Sequence, residues 1–250
     1  ILAEFIFDYE TQVIATNVPE MLQWPSLRHP FGTDNYGRDI LTRLLYGGRY
    51  SLTIGVCSVA VSLLIGSSLG VIAGYFGGLI ENIIMRVMDV FSPIPSMLLA
   101  VCLTSAFGQS LVVLMVAIGV VGVPSFAQIA RASVMTIRDQ EYIEAARASG
   151  AREHQIIISH IVPNALAPIM VQATLRIASA IGTASALTFL GLGVPTPMPE
   201  WGGMLSEGRN FIRDYSYMTF LPGLAIMITV LSINMIGDGL RDAMDPRLKR

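Results

Sequence analysis

Charge is what this chain has least of. Only 14% of its 250 residues are Asp, Glu, Lys or Arg, against roughly a quarter in an ordinary soluble domain. Eighteen acids and sixteen bases are too few to coat a soluble fold of this size. A formal net charge of −2 excludes a strong electrostatic pull on nucleic acid. Lysine is nearly missing: Lys249 is the single one, and every other basic residue is Arg. A phosphate-binding Walker loop needs Gly-x-x-x-x-Gly-Lys-Ser/Thr, with the Lys reaching the terminal phosphates. Lys249 stands second from the end with no such context, which excludes a P-loop ATPase. Cysteine is scarce too. Cys57 and Cys102 lie in apolar stretches, without metal spacing or a role for a disulfide. There is no His-Glu-x-x-His and no Cys-x-x-Cys. His154 and His160, six apart, read as polar loop residues. No catalytic residue and no metal set is expected.

What is present is apolar length. Hydrophobic residues make up 53% of the chain, and charge is absent from Tyr50 to Ile80, from Val90 to Ala130 and from Tyr215 to Gly237. Between Asn164 and Leu190 the one charge is Arg176. A membrane-crossing helix needs about 20 mostly apolar residues. The gaps predict five spans, near 51–75, 82–106, 110–131, 164–190 and 217–238, in an all-α membrane protein. Membrane lipid is therefore the expected surrounding.

Basic residues set the orientation. Arg131, Arg138, Arg147 and Arg152 surround the segment after the third span, and Arg241, Arg247, Lys249 and Arg250 follow the last. These two regions share a side, read as cytoplasmic. Residues 1–50 and 191–216 then face outward as a polar apron. The chain opens Ile-Leu-Ala-Glu-Phe-Ile-Phe rather than with Met, which reads as the tail of a further, first span and predicts six spans in the intact protein.

Small residues and intramembrane polar groups mark candidate contacts. Gly66, Gly70, Gly74 and Gly78 recur every four residues, a spacing that lets a second helix backbone approach. Ala178, Gly182 and Ala186 repeat the device. Such a stripe suits a moving interface or ordinary bundle packing. Pro93 and Pro95 bend or break the second span. Arg86 and Asp89, three apart, can pair on one helix face. Arg176, with Gln172 one turn away, requires a water-filled cavity or an interhelical partner. It either lines a translocation path or forms a structural ion pair.

The segment 132–163 is the most informative. Residues 140–149 favour helix, with Glu, Ala and Arg dominant. Gly150 terminates it, and 152–161 reads as a second short amphipathic helix before Pro163. Two short helices around a glycine make a rigid elbow. Ala145 and Ala146 would let it press into a groove, and Glu144 could fix it there.

Glu144-Ala145-Ala146, Gly150 and Ile161-Val162-Pro163 resemble the EAA loop of binding-protein-dependent ABC transporter permeases, with Val162 where the family usually has Leu. Further segments are similar to the C-type permease of the dipeptide/oligopeptide/nickel branch. They are His29-Pro30-Phe31-Gly32-Thr33-Asp34 with Gly37-Arg38-Asp39, Phe189-Leu190-Gly191-Leu192-Gly193, Pro199-Glu200-Trp201-Gly202, and Gly237-Asp238-Gly239-Leu240-Arg241-Asp242 followed by Asp245-Pro246-Arg247. The resemblance runs from about residue 29 to the end.

It implies a type I ABC importer transmembrane domain over residues 51–240, an external segment 1–50, an external loop 191–216 and a cytoplasmic tail 241–250. It also implies a prokaryotic inner-membrane location, a B-type permease partner, two ATP-binding subunits that hold ATP and Mg, and an external substrate-binding protein. On the resemblance Glu144, Ala145, Ala146, Gly150, Ile161 and Pro163 couple the chain to the ATPases. Di- or oligopeptides are the expected cargo. A nickel chelate is the alternative within the family, and an ion-coupled secondary transporter, with Asp89 and Asp238 as relay carboxylates, is the alternative outside it.

Overall fold

The computed structural model of the chain describes residues 7–244. The expected end of a further span at the start, and Asp245, Pro246, Arg247, Lys249 and Arg250 of the tail, lie outside the described residues. Among the described residues the secondary structure is helical, save one isolated bridge between Thr33 and Asp39.

The apron begins with two short helical turns, Tyr9–Val13 and Val18–Glu20. Asp39 then caps α1, Ile40–Phe76, by accepting from the Thr42 N–H at 2.8 Å. At about 1.5 Å per residue this 37-residue helix outruns a hydrocarbon core of about 30 Å. Its first turns therefore belong to the apron, and the expected start near residue 51 marks only where charge ends. Gly77, at φ +65°, stops α1.

The second span is broken where its prolines fall: it consists of two helices, α2 (Gly78–Phe91) and α3 (Ser96–Phe107), bent by 86° across the break. Pro93 and Pro95 sit in that break. Each lacks an N–H and clashes with the carbonyl one turn back, so the two together favour a break in the helix here.

α4, Leu111–Arg138, is capped by Ser110, whose Oγ accepts from the Val113 N–H at 3.1 Å. The elbow follows as α5, Glu141–Ala148, and α6, Glu153–Ile156. The expected second short helix 152–161 does not stand alone. α6 runs through a wide turn, Ile157–Ile161, directly into α7, Val162–Phe189. The wide turn lies just before Pro163, whose missing N–H and bulky ring a regular helix would not accommodate. The fourth span thus starts at Glu153 rather than near 164. α8, Trp201–Gly208, lies in the apron, and α9, Tyr217–Met244, completes the bundle.

Among the described residues, four helices are long and apolar enough to cross a membrane, and the bent α2–α3 pair supplies a fifth passage if counted as one span. The core gathers between α1, α4 and α7, around Ile54, Leu114, Phe126, Val134, Ile169 and Leu187. Gly66, Gly70 and Gly74 face α4 there. A Cβ on Gly66 would meet Val123 O at 2.5 Å, and one on Gly74 would meet Arg131 O at 2.8 Å. Gly78 does not continue the stripe. It follows the stop at Gly77, has φ +56° and faces open space. Gly182 on α7 likewise meets nothing within 4 Å. Leu79, Ile83, Val87 and Val90 on α2, and Phe220, Leu231 and Met235 on α9, remain exposed, apolar faces suited to lipid or another subunit.

Candidate functional site

The elbow is built on a glycine stop. Gly150 N–H bonds to Arg147 O at 3.0 Å and Ala151 N–H to Ala146 O at 3.2 Å, with Gly150 at φ +83°. This paired closure requires a left-handed residue just past the helix. The chain then re-enters helix at Arg152, whose N–H bonds the Gln155 side chain at 3.1 Å. Ile143, Ile156 and Ile161 are fully buried and pin the elbow to the core.

Polar bonds add a second attachment. Tyr75 at the end of α1 donates its hydroxyl to the Glu153 carboxylate. Arg147 donates to the same phenol oxygen at 3.3 Å and lies 3.6 Å from Glu153 Oε1. Arg138 donates to Gly74 O at 2.9 Å. Both helices of the elbow are therefore fastened to the same end of α1.

The six elbow residues singled out by sequence divide between two surfaces. Glu144, Ala145, Gly150 and Pro163 are exposed, Ala146 is half-buried against the core, and Ile161 is wholly inside. The Glu144 side chain makes no hydrogen bond or ion pair within the described chain. Tyr142, 46% exposed, stands on the same short helix. The elbow thus offers an acid, small side chains and an aromatic outward, over apolar anchors turned inward.

In the bundle, Arg176 projects from the middle of α7 and donates to Ser125 Oγ of α4. It borders a cavity of about 40 Å³ whose polar lining is hydroxyl: Ser58, Ser62, Ser96, Ser179 and Thr183. Gln172, one turn away, faces a separate cavity with Leu175, Arg241 and Met244. Arg86 and Asp89 do not pair. Both are exposed on α2, and the ion pair near them joins other residues, Arg131 of α4 and Glu81 of α2, with Arg131 Nε 2.6 Å from Glu81 Oε1. Spacing of three permits contact along one helix, but a neighbouring helix offered a different partner to a different acid.

The apron holds a charge cluster that sequence reasoning did not find. Asp34 Oδ2 accepts from Arg38 Nε at 2.6 Å and Arg43 Nη1 at 2.7 Å. Glu207 of α8 accepts from Arg38 Nη2 at 2.8 Å and lies 3.2 Å from Arg43 Nη2. Arg43 is 1% exposed. Burial, reinforced by the Asp34 charge, pushes the Glu207 carboxyl up to about 7 against the pull of Arg38. Nearby, the fully buried Glu200 accepts from Ser51 Oγ at 3.0 Å and from the Gly203 N–H at 3.0 Å. His29 Nδ1 lies 2.9 Å from Asp39. These bonds lock the segment before α1 to α8 across the apron. Arg38 and Glu200 stand in segments the sequence marked by resemblance, but their function as buried counter-charges depends on contacts remote in sequence. Among the described residues no three of His, Cys, Asp and Glu converge as a metal set.

Residues 66–250 match the family described as binding-protein-dependent transport system inner membrane component. The dipeptide transport system permease protein DppC of Alkalihalophilus pseudofirmus is 50% identical over 94% of this chain and 77% of its own length. The di/tripeptide transport system permease protein DppC of Pseudomonas aeruginosa is 45% identical over 92% of this chain and 76% of its own. In fold the chain is similar to a chain of the inward-facing MetNI methionine ABC transporter. The TM-score is 0.66 at 21% identity, covering 81% of this chain and 96% of the other.

Proposed function

This chain belongs to the family of binding-protein-dependent transport system inner membrane components, as a permease of an ABC importer, and we propose that its cargo is a di- or oligopeptide. The observation that carries the cargo is the 50% identity, over nearly the whole chain, to a permease named for dipeptide transport. On this reading the protein sits in a prokaryotic inner membrane with the elbow in the cytoplasm and the apron outside. A B-type permease completes the pathway, and a substrate-binding protein delivers peptide to the apron. The chain hydrolyses nothing itself. ATP and Mg act in two separate subunits, consistent with the absence of a Walker lysine.

Glu144, Ala145 and Gly150 form the face that docks into an ATPase subunit, while Ala146 and Ile161 hold that face to the bundle. When the ATPases close on ATP, the elbow is displaced. The bonds of its Glu153 and Arg147 to Tyr75 carry the displacement into α1, and the continuous helix from Glu153 to Phe189 carries it into α7. ATP drives the change because it binds the two states with different free energy. An ion-coupled alternative requires a relay of membrane carboxylates. Asp89 and Asp238 are instead exposed on separate helices.

The test is reconstitution of the chain with its partner subunits and binding protein in liposomes. Labelled alanyl-alanine should accumulate with ATP, persist with ionophores, and stop with a non-hydrolysable nucleotide. Uptake driven by a proton gradient without ATP would reject the reading.

A further inference from the structure

We infer that the cavity between Arg176 and Ser58 is a carboxylate site within the membrane pathway, which takes the C-terminal carboxylate of the peptide in transit. The inference rests on the peptide-importer reading and assigns a residue-level contact to it.

The first observation is a charge without a counter-charge. Burying a guanidinium in a bilayer is costly unless it faces water, an acid or a ligand. Elsewhere this chain pairs its buried arginines, Arg38 and Arg43, with Asp34 and Glu207, and its half-buried Arg131 with Glu81. Arg176 is the exception. Its hydrogen bond goes to a neutral hydroxyl, Ser125, and among the described residues no carboxylate pairs with it.

The second observation is an unpartnered donor on the same cavity. Ser58 is 1% exposed, and its hydroxyl has no hydrogen-bond partner. A buried hydroxyl left unsatisfied costs free energy. Ser62 is already committed to Gly119 O at 2.6 Å, and Thr183 to Ser179 O at 2.9 Å, which leaves Ser58 free to donate. Ser96, which also lines the wall, opens α3, and the positive end of a half-helix adds to the same potential.

The cavity leaves about 40 Å³ for the centres of water-sized groups, more than the roughly 10–15 Å³ that one water needs, so a carboxylate can enter. Ser96 and Ser179 on the cavity wall are exposed, so the site opens at the chain surface. The remainder of a peptide would stay outside while its terminus enters. A guanidinium and a hydroxyl together supply the charge-assisted bonds a carboxylate accepts.

The experiment uses the whole reconstituted importer and two probes, alanyl-alanine and alanyl-alaninamide, each at saturating binding protein. Uptake of each probe is expressed as variant over wild type, so discrimination by the binding protein cancels. Arg176→Gln should lower alanyl-alanine uptake at least tenfold and the amide less than threefold. Arg176→Lys should fall between, and Ser58→Ala should lower the acid several-fold with the amide unchanged. Equal loss of both probes in Arg176→Lys and Ser58→Ala overturns the site and marks Arg176 as the partner of a carboxylate on another subunit. No loss of either probe also overturns it. Wild-type importer that carries neither probe with ATP overturns the peptide reading itself.

Discussion

Tyr75, in the last turn of α1, donates its hydroxyl to Glu153, the first residue of α6. One bond thereby joins the longest helix of the apron side to the start of the continuous helix that runs to Phe189. Glu153 is half exposed and Arg147 shares the contact, so the group sits where the elbow would be displaced by a docked subunit.

Removing that hydroxyl separates motion from docking. Tyr75→Phe keeps the ring and its packing against Phe76 while deleting the bond. A hydrogen bond to a charged group contributes roughly 1.5–3 kcal/mol, less when partly exposed, so a loss of about 1 kcal/mol, or fivefold in coupling, is expected. ATP hydrolysis should stay near wild type while peptide uptake falls about fivefold, measured side by side in liposomes. Equal falls in both would indicate lost docking instead.

Gly150 tests the elbow from its other end. With φ +83° and nothing within 4 Å of a built Cβ, the obstacle to substitution is backbone conformation rather than space. A left-handed position costs an L-residue about 1–2 kcal/mol, and a β-branched one is worse. Gly150→Val should unseat the helix stop and uncouple uptake from ATP hydrolysis, while Gly150→Asn, which tolerates this conformation, should retain most uptake. Normal uptake by a Gly150→Val complex that assembles fully would remove the elbow from the mechanism.

Glycine positions on α1 and α7 call for opposite outcomes. Gly74→Val places side-chain atoms against Arg131 O and Val134, where a Cβ already comes within 2.8 and 2.9 Å. Overpacking of this kind costs about 1–3 kcal/mol, or about 2–4 °C in unfolding midpoint per kcal/mol for a chain of this length. Gly182→Ala meets no neighbour and lies in regular helix, so its midpoint should hold or rise. Thermal unfolding in nanodiscs compares the two directly.

These cases also show what could be read from residues in order. Gly66, Gly70 and Gly74 were legible because four-residue spacing fixes a helix face, and Gly78 was not because the helix stops one residue earlier. The elbow was legible because a glycine stop and a proline are local signals. Its fusion with the next span was hidden by the wide turn at Ile157–Ile161, which lets the helix absorb Pro163. The cavity around Arg176 was half legible: a lone membrane arginine demands a partner, but only the fold brings Ser58 beside it. The pairing of Arg131 with Glu81 and of Arg43 with Asp34 and Glu207 depends on which helices become neighbours, and composition carries no trace of that.

The apron cluster yields a dependence on pH whose sign follows from burial. Glu207 has its carboxyl raised from 4.5 to about 7, with burial the largest cause, then opposed by Arg38 and reinforced by Asp34. Between those values the folded chain holds a proton that the unfolded chain has released. Stability therefore falls as pH rises through that window, by at most about 1.4 kcal/mol per unit, and levels off above pH 7. Below about 4.5 both states are protonated and the contribution is flat. The contact at stake joins α8 to Arg38 and Arg43, so the local signature is loosening of α8 from the segment before α1. Unfolding midpoints in nanodiscs should be higher at pH 5.5 than at pH 7.5, and protection of the Trp201–Gly208 amides, taken relative to the intrinsic exchange rate at each pH, should be greater at the lower pH. Glu207→Gln keeps the shape and one acceptor but cannot ionise, so it should flatten both trends. A slope that survives in Glu207→Gln would assign the titration to another group.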